Sequence, residues 1–274
     1  MIKKMIITLA ILGIICLLVA DKLEDNLKNF TEVNAKGYLK PFVNSFGAGL
    51  NSGHFTSAKT NKQFMPSLAI GSTMVLVPSS DKKFYLNGTN VETATIFGKN
   101  GAPGYPPGAN ISMLPVPQAA VSLGLPAGNE IMLLWLPETQ IDKNIGSFSL
   151  YGVGVKHSID QYLGKFFPVH LAVQGVYQNV EVGKVMKIDA WNFNLLASKN
   201  LLFFGVYGGI GYEYTNFDIK YKMTDGTKQD FSMVAENDIK MTIGAEYNIL
   251  ILGIFADYTI ANVNSINAGL KVGF

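Results

Sequence analysis

The chain has 274 residues, of which 48% are hydrophobic and only 15% charged, against roughly 25% charged in ordinary soluble domains. All 22 basic residues are Lys, the net charge is +2, and Lys3 and Lys4 account for that excess. This balance excludes disorder, which needs high charge and few apolar residues, and argues against nucleic-acid binding, which needs a concentrated basic surface.

In chain order, Lys3 and Lys4 precede an apolar stretch from Met5 to Ala20, and Asp21, Glu24 and Asp25 follow. That order reads as a secretory signal peptide over residues 1–20. Leu18 stands where a small residue is preferred, so an uncleaved anchor is the competing reading. Cys16 is the only cysteine, and Ile15 before it is not the small residue that lipidation requires. The exported chain would therefore carry neither disulfide nor thiolate chemistry. Residues 21–62 do not alternate. Leu23, Leu27, Phe30 and Val33 fall at helical spacing and predict a short amphipathic helix, and a Gly-, Asn- and Ser-rich stretch follows around Phe46–Thr56.

After Ala20 no apolar run approaches the ~20 residues of a membrane-spanning helix. The rest of the chain alternates with period 2, so the expected fold is all-β: an antiparallel transmembrane barrel over residues 63–274. Candidate strands are 64–78, 115–126, 130–138, 145–158, 166–181, 185–198, 201–222, 231–248, 250–260 and 264–274. That is about ten, with 8–14 admitted and twelve reached if Phe84–Phe97 adds a hairpin. Connections after even-numbered strands are mostly short, as periplasmic turns should be. Ser79–Leu114 and Met223–Asp230 are the longer external ones, and Gly98–Asn110, with three prolines and several glycines, is a loop. Tyr212, Tyr214, Tyr221, Tyr247 and Tyr258 sit toward strand ends, where an interfacial girdle belongs. The chain ends on an alternating strand closed by Phe274, similar to the C-terminal signal that outer-membrane barrels present to their insertion machinery.

The inferred inward faces carry many glycines, among them Gly71, Gly152, Gly154, Gly209, Gly211 and Gly269. Side chains normally fill small barrels, so a Gly-lined lumen needs another occupant. Residues 21–62 have about the right size, which predicts an N-terminal helical or irregular plug. The inward polar and aromatic residues are Lys156, His170, Gln174, Gln178, Tyr207, Glu213, Asp238, Lys240, Glu246, Phe255, Asp257 and Lys271. Their acids and bases nearly balance. Mutual salt bridging is the plain reading, and a ring that orients a ligand headgroup is the sharper one.

The run Tyr38-Leu39-Lys40-Pro41, then Phe46-Gly47, Leu50-Asn51 and Gly53, resembles the opening of a family of uncharacterised outer-membrane barrels of Bacteroidota type. Val155-Lys156-His157-Ser158-Ile159-Asp160-Gln161-Tyr162, followed by Pro168-Val169, is similar to that family's middle signature. The resemblance covers most of the mature chain and implies fold and location but no substrate. An N-terminal segment entering a barrel is also remotely similar to the long-chain fatty-acid channels, at the level of fold alone.

Catalysis is not expected. His157 and Ser158 are adjacent on a strand and so point to opposite faces. His54, His157 and His170 lack metal-ligand spacing, and no cofactor is implied. The expected activity is passive uptake or binding of a small hydrophobic or amphipathic compound, motivated by inward Phe255 and Tyr207 beside glycines. The competing expectation is a structural or surface-interaction barrel with a sealed lumen. Expected partners are outer-membrane lipid, the barrel-insertion machinery and, for uptake, a small hydrophobic ligand.

Overall fold

The computed structural model describes residues 23–142, 146–163 and 168–273. The signal peptide expected over residues 1–20 and the terminal Phe274 lie outside the described residues. Two helices, α1 (Leu23–Leu27) and α2 (Glu32–Leu50), precede the strands. These are β1 (Pro66–Leu76), β2 (Lys83–Tyr85), β3 (Glu92–Ala94), β4 (Met113–Leu125), β5 (Asn129–Asp142), β6 (Gly146–Ser158) and β7 (His170–Val182). Then come β8 (Met186–Leu201), β9 (Phe204–Lys222), β10 (Lys228–Val234), β11 (Ile239–Ile249), β12 (Leu252–Ile260) and β13 (Ser265–Gly273). Ten of them form a closed antiparallel ring in the order β1, β4, β5, β6, β7, β8, β9, β11, β12, β13, and β13 pairs back onto β1 from Ser67↔Gly273 to Val75↔Ser265. The hairpin expected from Phe84–Phe97 exists as β2 and β3, but it forms a separate two-stranded sheet.

Strand β9 shows why the sequence folds this way. Its outward row begins Phe204, Val206, Gly208, Ile210, Tyr212, Tyr214, while the inward row is Gly205, Tyr207, Gly209, Gly211, Glu213, Thr215. From Asn216 the pattern inverts. Asn216, Asp218, Lys220 and Lys222 now face out, and Phe217, Ile219 and Tyr221 are buried inside. Strand β8 repeats the inversion, with Trp191, Phe193 and Leu195 outward opposite Asn192 and Asn194, but Lys187 and Asp189 outward opposite Met186, Ile188 and Ala190. The barrel therefore has two storeys. One has an apolar outside and a polar lumen, and the other rises beyond it with a polar outside and an apolar core.

The boundary between storeys is marked by aromatics. Trp135↔Tyr151 pair on β5 and β6, and Tyr177↔Trp191↔Tyr214 run in one row across β7, β8 and β9. These outward rings form a girdle of the kind that sits at a lipid–water interface. From Phe204 to Tyr214 the apolar row covers about 33 Å of strand, or about 25 Å of height at the usual tilt, which matches the apolar band of such barrels. Tyr221 is a correction to the predicted girdle: it is buried, and its hydroxyl donates to the Phe30 carbonyl at 3.0 Å.

At the end with the apolar outside, three connections are tight: Pro126-Ala127-Gly128, Leu202-Phe203 and Leu250-Ile251. Ala127, Leu202 and Leu250 take left-handed backbone angles of φ 58°, 55° and 56°, as such two- and three-residue hairpin turns demand. At the other end lie the 77–112 connection, the β9–β10 hairpin and the N-terminal helices.

Two predicted elements differ. The single strand expected over 231–248 is broken at Ala235–Asp238, because the β10 pairing with the upper part of β9 gives way to β11 pairing with its lower part. The break leaves Asp238 exposed rather than inward. The predicted helix over Leu23–Val33 is only α1, and Val33 is 55% exposed. The main helix is α2, whose 19 residues begin at Glu32 after a four-residue break. It shows no clear amphipathic stripe because its second half, from Pro41 to Leu50, is buried on every side. Gly49 is required there, since a Cβ would stand 2.4 Å from the Val116 side chain.

Candidate functional site: the plugged lumen

The N-terminal segment occupies the barrel from one end to the other. In the upper storey α2 is the core. Phe42 stacks on Phe46 with centroids 5.2 Å apart, and meets Phe217 of β9 edge-on and Phe97 of the 77–112 connection, both at 6.4 Å. Phe30 and Tyr38 pack with Phe84 and Tyr105, so this connection folds over the mouth as a cap.

From the second half of α2 downward, where the helix gives way to irregular chain, buried backbone carbonyls meet side-chain donors, since unpaired buried polar groups are costly. The barrel wall supplies them. Asn237 donates to the Asn44 carbonyl at 2.6 Å, Gln118 to Gly49 at 3.0 Å, and Gln178 to Leu50 at 2.7 Å. Asn192 donates to Asn51 at 2.6 Å, and the Lys240 ammonium donates to the same carbonyl. Gln174 donates to His54 at 3.1 Å, and Lys156 to Lys59 at 3.2 Å. Side-chain contacts reinforce this ladder: Asn51 donates to Thr215 at 2.7 Å, Ser52 meets Ser265 at 3.2 Å, and Ser57 meets Ser198 at 3.1 Å. At the turn end the Asn61 amide donates to Glu130 at 2.7 Å.

The sequence-predicted lumen residues are thereby accounted for. Lys156, Gln174 and Lys240 hold the plug backbone. Lys156 also pairs with Glu130 at 3.0 Å, and Lys240 with Glu213 at 3.5 Å, all four side chains being buried. Tyr207 donates to Asp257 at 3.0 Å and meets the plug's Phe55 edge-on at 5.9 Å. Glu246 is buried against Gly205. Phe255 and Lys271 line a cavity of about 40 Å³ between the plug and the small-residue wall of β1 and β4, together with Gln118, Glu130 and Asn267. That holds about three waters, far below the ~300–1,000 Å³ of a small-molecule pocket. His170 stands apart from this group, at the turn end. The donors Gln118, Asn192 and Asn237 were missed in the sequence. Their signal was an uncharged amide at an inward position, which balance-of-charge reasoning passes over.

The signature around Val155–Tyr162 forms a polar cluster on the rim at the turn end. His157 contacts Asn129 at 2.8 Å and Tyr162 at 3.2 Å, whereas Ser158 donates to Asp160 at 2.6 Å and His170 contacts the same carboxylate at 2.8 Å. The carboxylate stands between hydroxyl and imidazole, so no ring nitrogen faces Ser158 as a general base would. Burial pushes the Asp160 carboxyl up, but its bonds from Ser158 and His170 outweigh this and hold it below its ordinary value. Its contribution to stability is therefore present above the unfolded carboxylate range, about 4, and is lost as pH falls through the lower folded value. Asp160→Asn is expected to flatten that acid limb, read as the urea midpoint between pH 7 and pH 3 in detergent.

The family described as "Family of unknown function (DUF6588)" matches residues 2–274. No curated protein matches the sequence. Among solved structures, Omp33 of Acinetobacter baumannii is similar at 8% identity and a TM-score of 0.31, over 77% of this chain and 99% of that one. Ail, the attachment invasion locus protein of Yersinia pestis, is similar at 11% identity and 0.25, over 77% and 99%. An outer-membrane protein of Vibrio cholerae, OmpT, is similar at 11% and 0.27, over 58% of this chain. The match spans 55% of the length of that Vibrio protein.

Proposed function

The chain belongs to DUF6588, a family of unknown function, and we propose that it is an outer-membrane barrel closed by its own N-terminal segment. In this reading residues 1–20 direct export, residues 21–62 form the plug and residues 63–274 the barrel. Outer-membrane lipid surrounds the belt below the Trp135–Tyr214 girdle, and the terminal strand with Phe274 is presented to the insertion machinery. The tight turns face the periplasm, and the upper storey with its cap stands outside the cell. The protein then acts as a structural or surface-interaction barrel, with no passive pore.

One observation carries this choice: the polar side chains that would line a pore are bonded to the backbone between Asn44 and Lys59. A lumen whose donors already have an internal partner offers a solute little. Passive uptake of a small hydrophobic or amphipathic compound is the second reading. It is favoured by the cavity, where Phe255, Met132 and Leu134 lie beside Gln118 and Lys271. It requires the 51–62 segment to move.

Full-length protein in planar bilayers and in liposomes separates the two. The expected result is no steady conductance and no uptake of a fatty acid or a small sugar above empty liposomes. Fatty-acid uptake without conductance would move the assignment to the second reading. Steady conductance would end the closed-lumen proposal.

A further inference from the structure

The direction in which the plug is threaded carries a consequence for which face its start occupies. Three contacts fix the start of the segment at the end with the long connections. The Thr224 amide at the tip of the β9–β10 hairpin donates to the Lys28 carbonyl at 3.2 Å, Tyr221 reaches the Phe30 carbonyl, and Phe30 stacks on Tyr105 at 5.6 Å. Three more fix its finish at the opposite end. Asn61 is held by Glu130 and Ser67, and Gln63 bridges to Gly124 beside the Ala127-Gly128 turn. Between these points α2 and the irregular stretch run the height of both storeys. The chain then reverses at residues 63–65 and climbs the wall as β1.

We propose that the N-terminal segment crosses the membrane inside the barrel, so that residues 23–31 are displayed on the cell surface beside the cap and the β9–β10 hairpin. The cell-surface assignment rests on the orientation proposed above; the threading does not. The barrel thus serves as a holder that presents its own N-terminal segment outward. The exposed part of that surface, Asp25 with Lys28 paired to it at 2.6 Å, is polar and solvent-facing, as a displayed segment should be.

Single cysteines in full-length protein lacking Cys16 test this in intact cells with a membrane-impermeant maleimide. The positions are Asp25→Cys, Asp225→Cys at the hairpin tip and Lys62→Cys at the reversal, all exposed. Asp25→Cys and Asp225→Cys are expected to label fully. Lys62→Cys is expected to label at least tenfold less until the outer membrane is permeabilised. Asp25→Cys behaving like Lys62→Cys while Asp225→Cys labels would overturn the threading. Asp25→Cys and Asp225→Cys both protected, with Lys62→Cys labelled, would overturn the orientation and leave the threading supported. Far-ultraviolet circular dichroism of each purified variant, matching the parent protein, confirms that the barrel has formed.

Discussion

Replacing Lys240 with Met is expected to destabilise the barrel by about 3–5 kcal/mol, because it removes one partner of a buried ion pair and leaves the other charge unpaired. Lys240 and Glu213 are each 2% exposed, and Glu213 already has one oxygen without a partner. The same substitution takes a donor from the Asn51 carbonyl, so the plug loses a tie where α2 gives way to irregular chain. Lys240→Met should therefore lower the urea midpoint and also admit brief conductance events. Removing both charges, as Lys240→Met with Glu213→Gln, should recover much of the loss, since a neutral pair of similar volume carries no unpaired charge. If the double variant is as unstable as the single one, Lys240 acts through the plug carbonyl rather than through Glu213.

Phe42→Ala is the second large effect, at about 3–5 kcal/mol for an aromatic removed from a packed core. Phe42 touches plug, barrel wall and cap together, through Phe46, Phe217 and Phe97. Its loss should loosen the upper storey and speed proteolysis of the 77–112 connection. The lumen should stay closed, because the carbonyl ladder below does not involve Phe42. Conductance from Phe42→Ala with intact proteolytic resistance of the cap would contradict this division of labour. The contrast with Lys240→Met is informative: one storey is held by apolar packing and the other by hydrogen bonds.

That division explains what could be read in advance. Rows such as Ile239-Met241-Ile243 and Ile266-Ala268-Leu270 alternate because their apolar residues face outward and the residues between them line a polar lumen. The ring of ten strands and the need for an occupant followed from that pattern and from the inward glycines. Above residue 216 the pattern keeps period 2 but exchanges its faces, and alternation alone does not tell which face is out. Tyr221 was misplaced for that reason. Helix α2 escaped notice because a helix enclosed by a barrel has no solvent face to give it a stripe, and because its end, with Gly47 and Gly49, falls in the Gly-, Asn- and Ser-rich stretch around Phe46–Thr56. The lumen residues were found, but their partner was misjudged. Lys156, Gln174 and Lys240 bond a backbone some 97–189 residues away in sequence, which no local pattern encodes.

The chain's own residues 32–62 fill the lumen, and a disulfide tests this most directly. Ser57 of the plug and Ser198 of β8 place their hydroxyl oxygens 3.1 Å apart, within reach of the ~2.05 Å sulfur–sulfur bond after small rotamer adjustment. In protein lacking Cys16, Ser57→Cys with Ser198→Cys is expected to cross-link nearly completely on mild oxidation, shifting mobility on a non-reducing gel. Ser57→Cys with Ser265→Cys, whose native partner is Ser52, is expected not to cross-link. Two free thiols at 57 and 198 after oxidation, both open to maleimide in the folded protein, would contradict the plugged lumen.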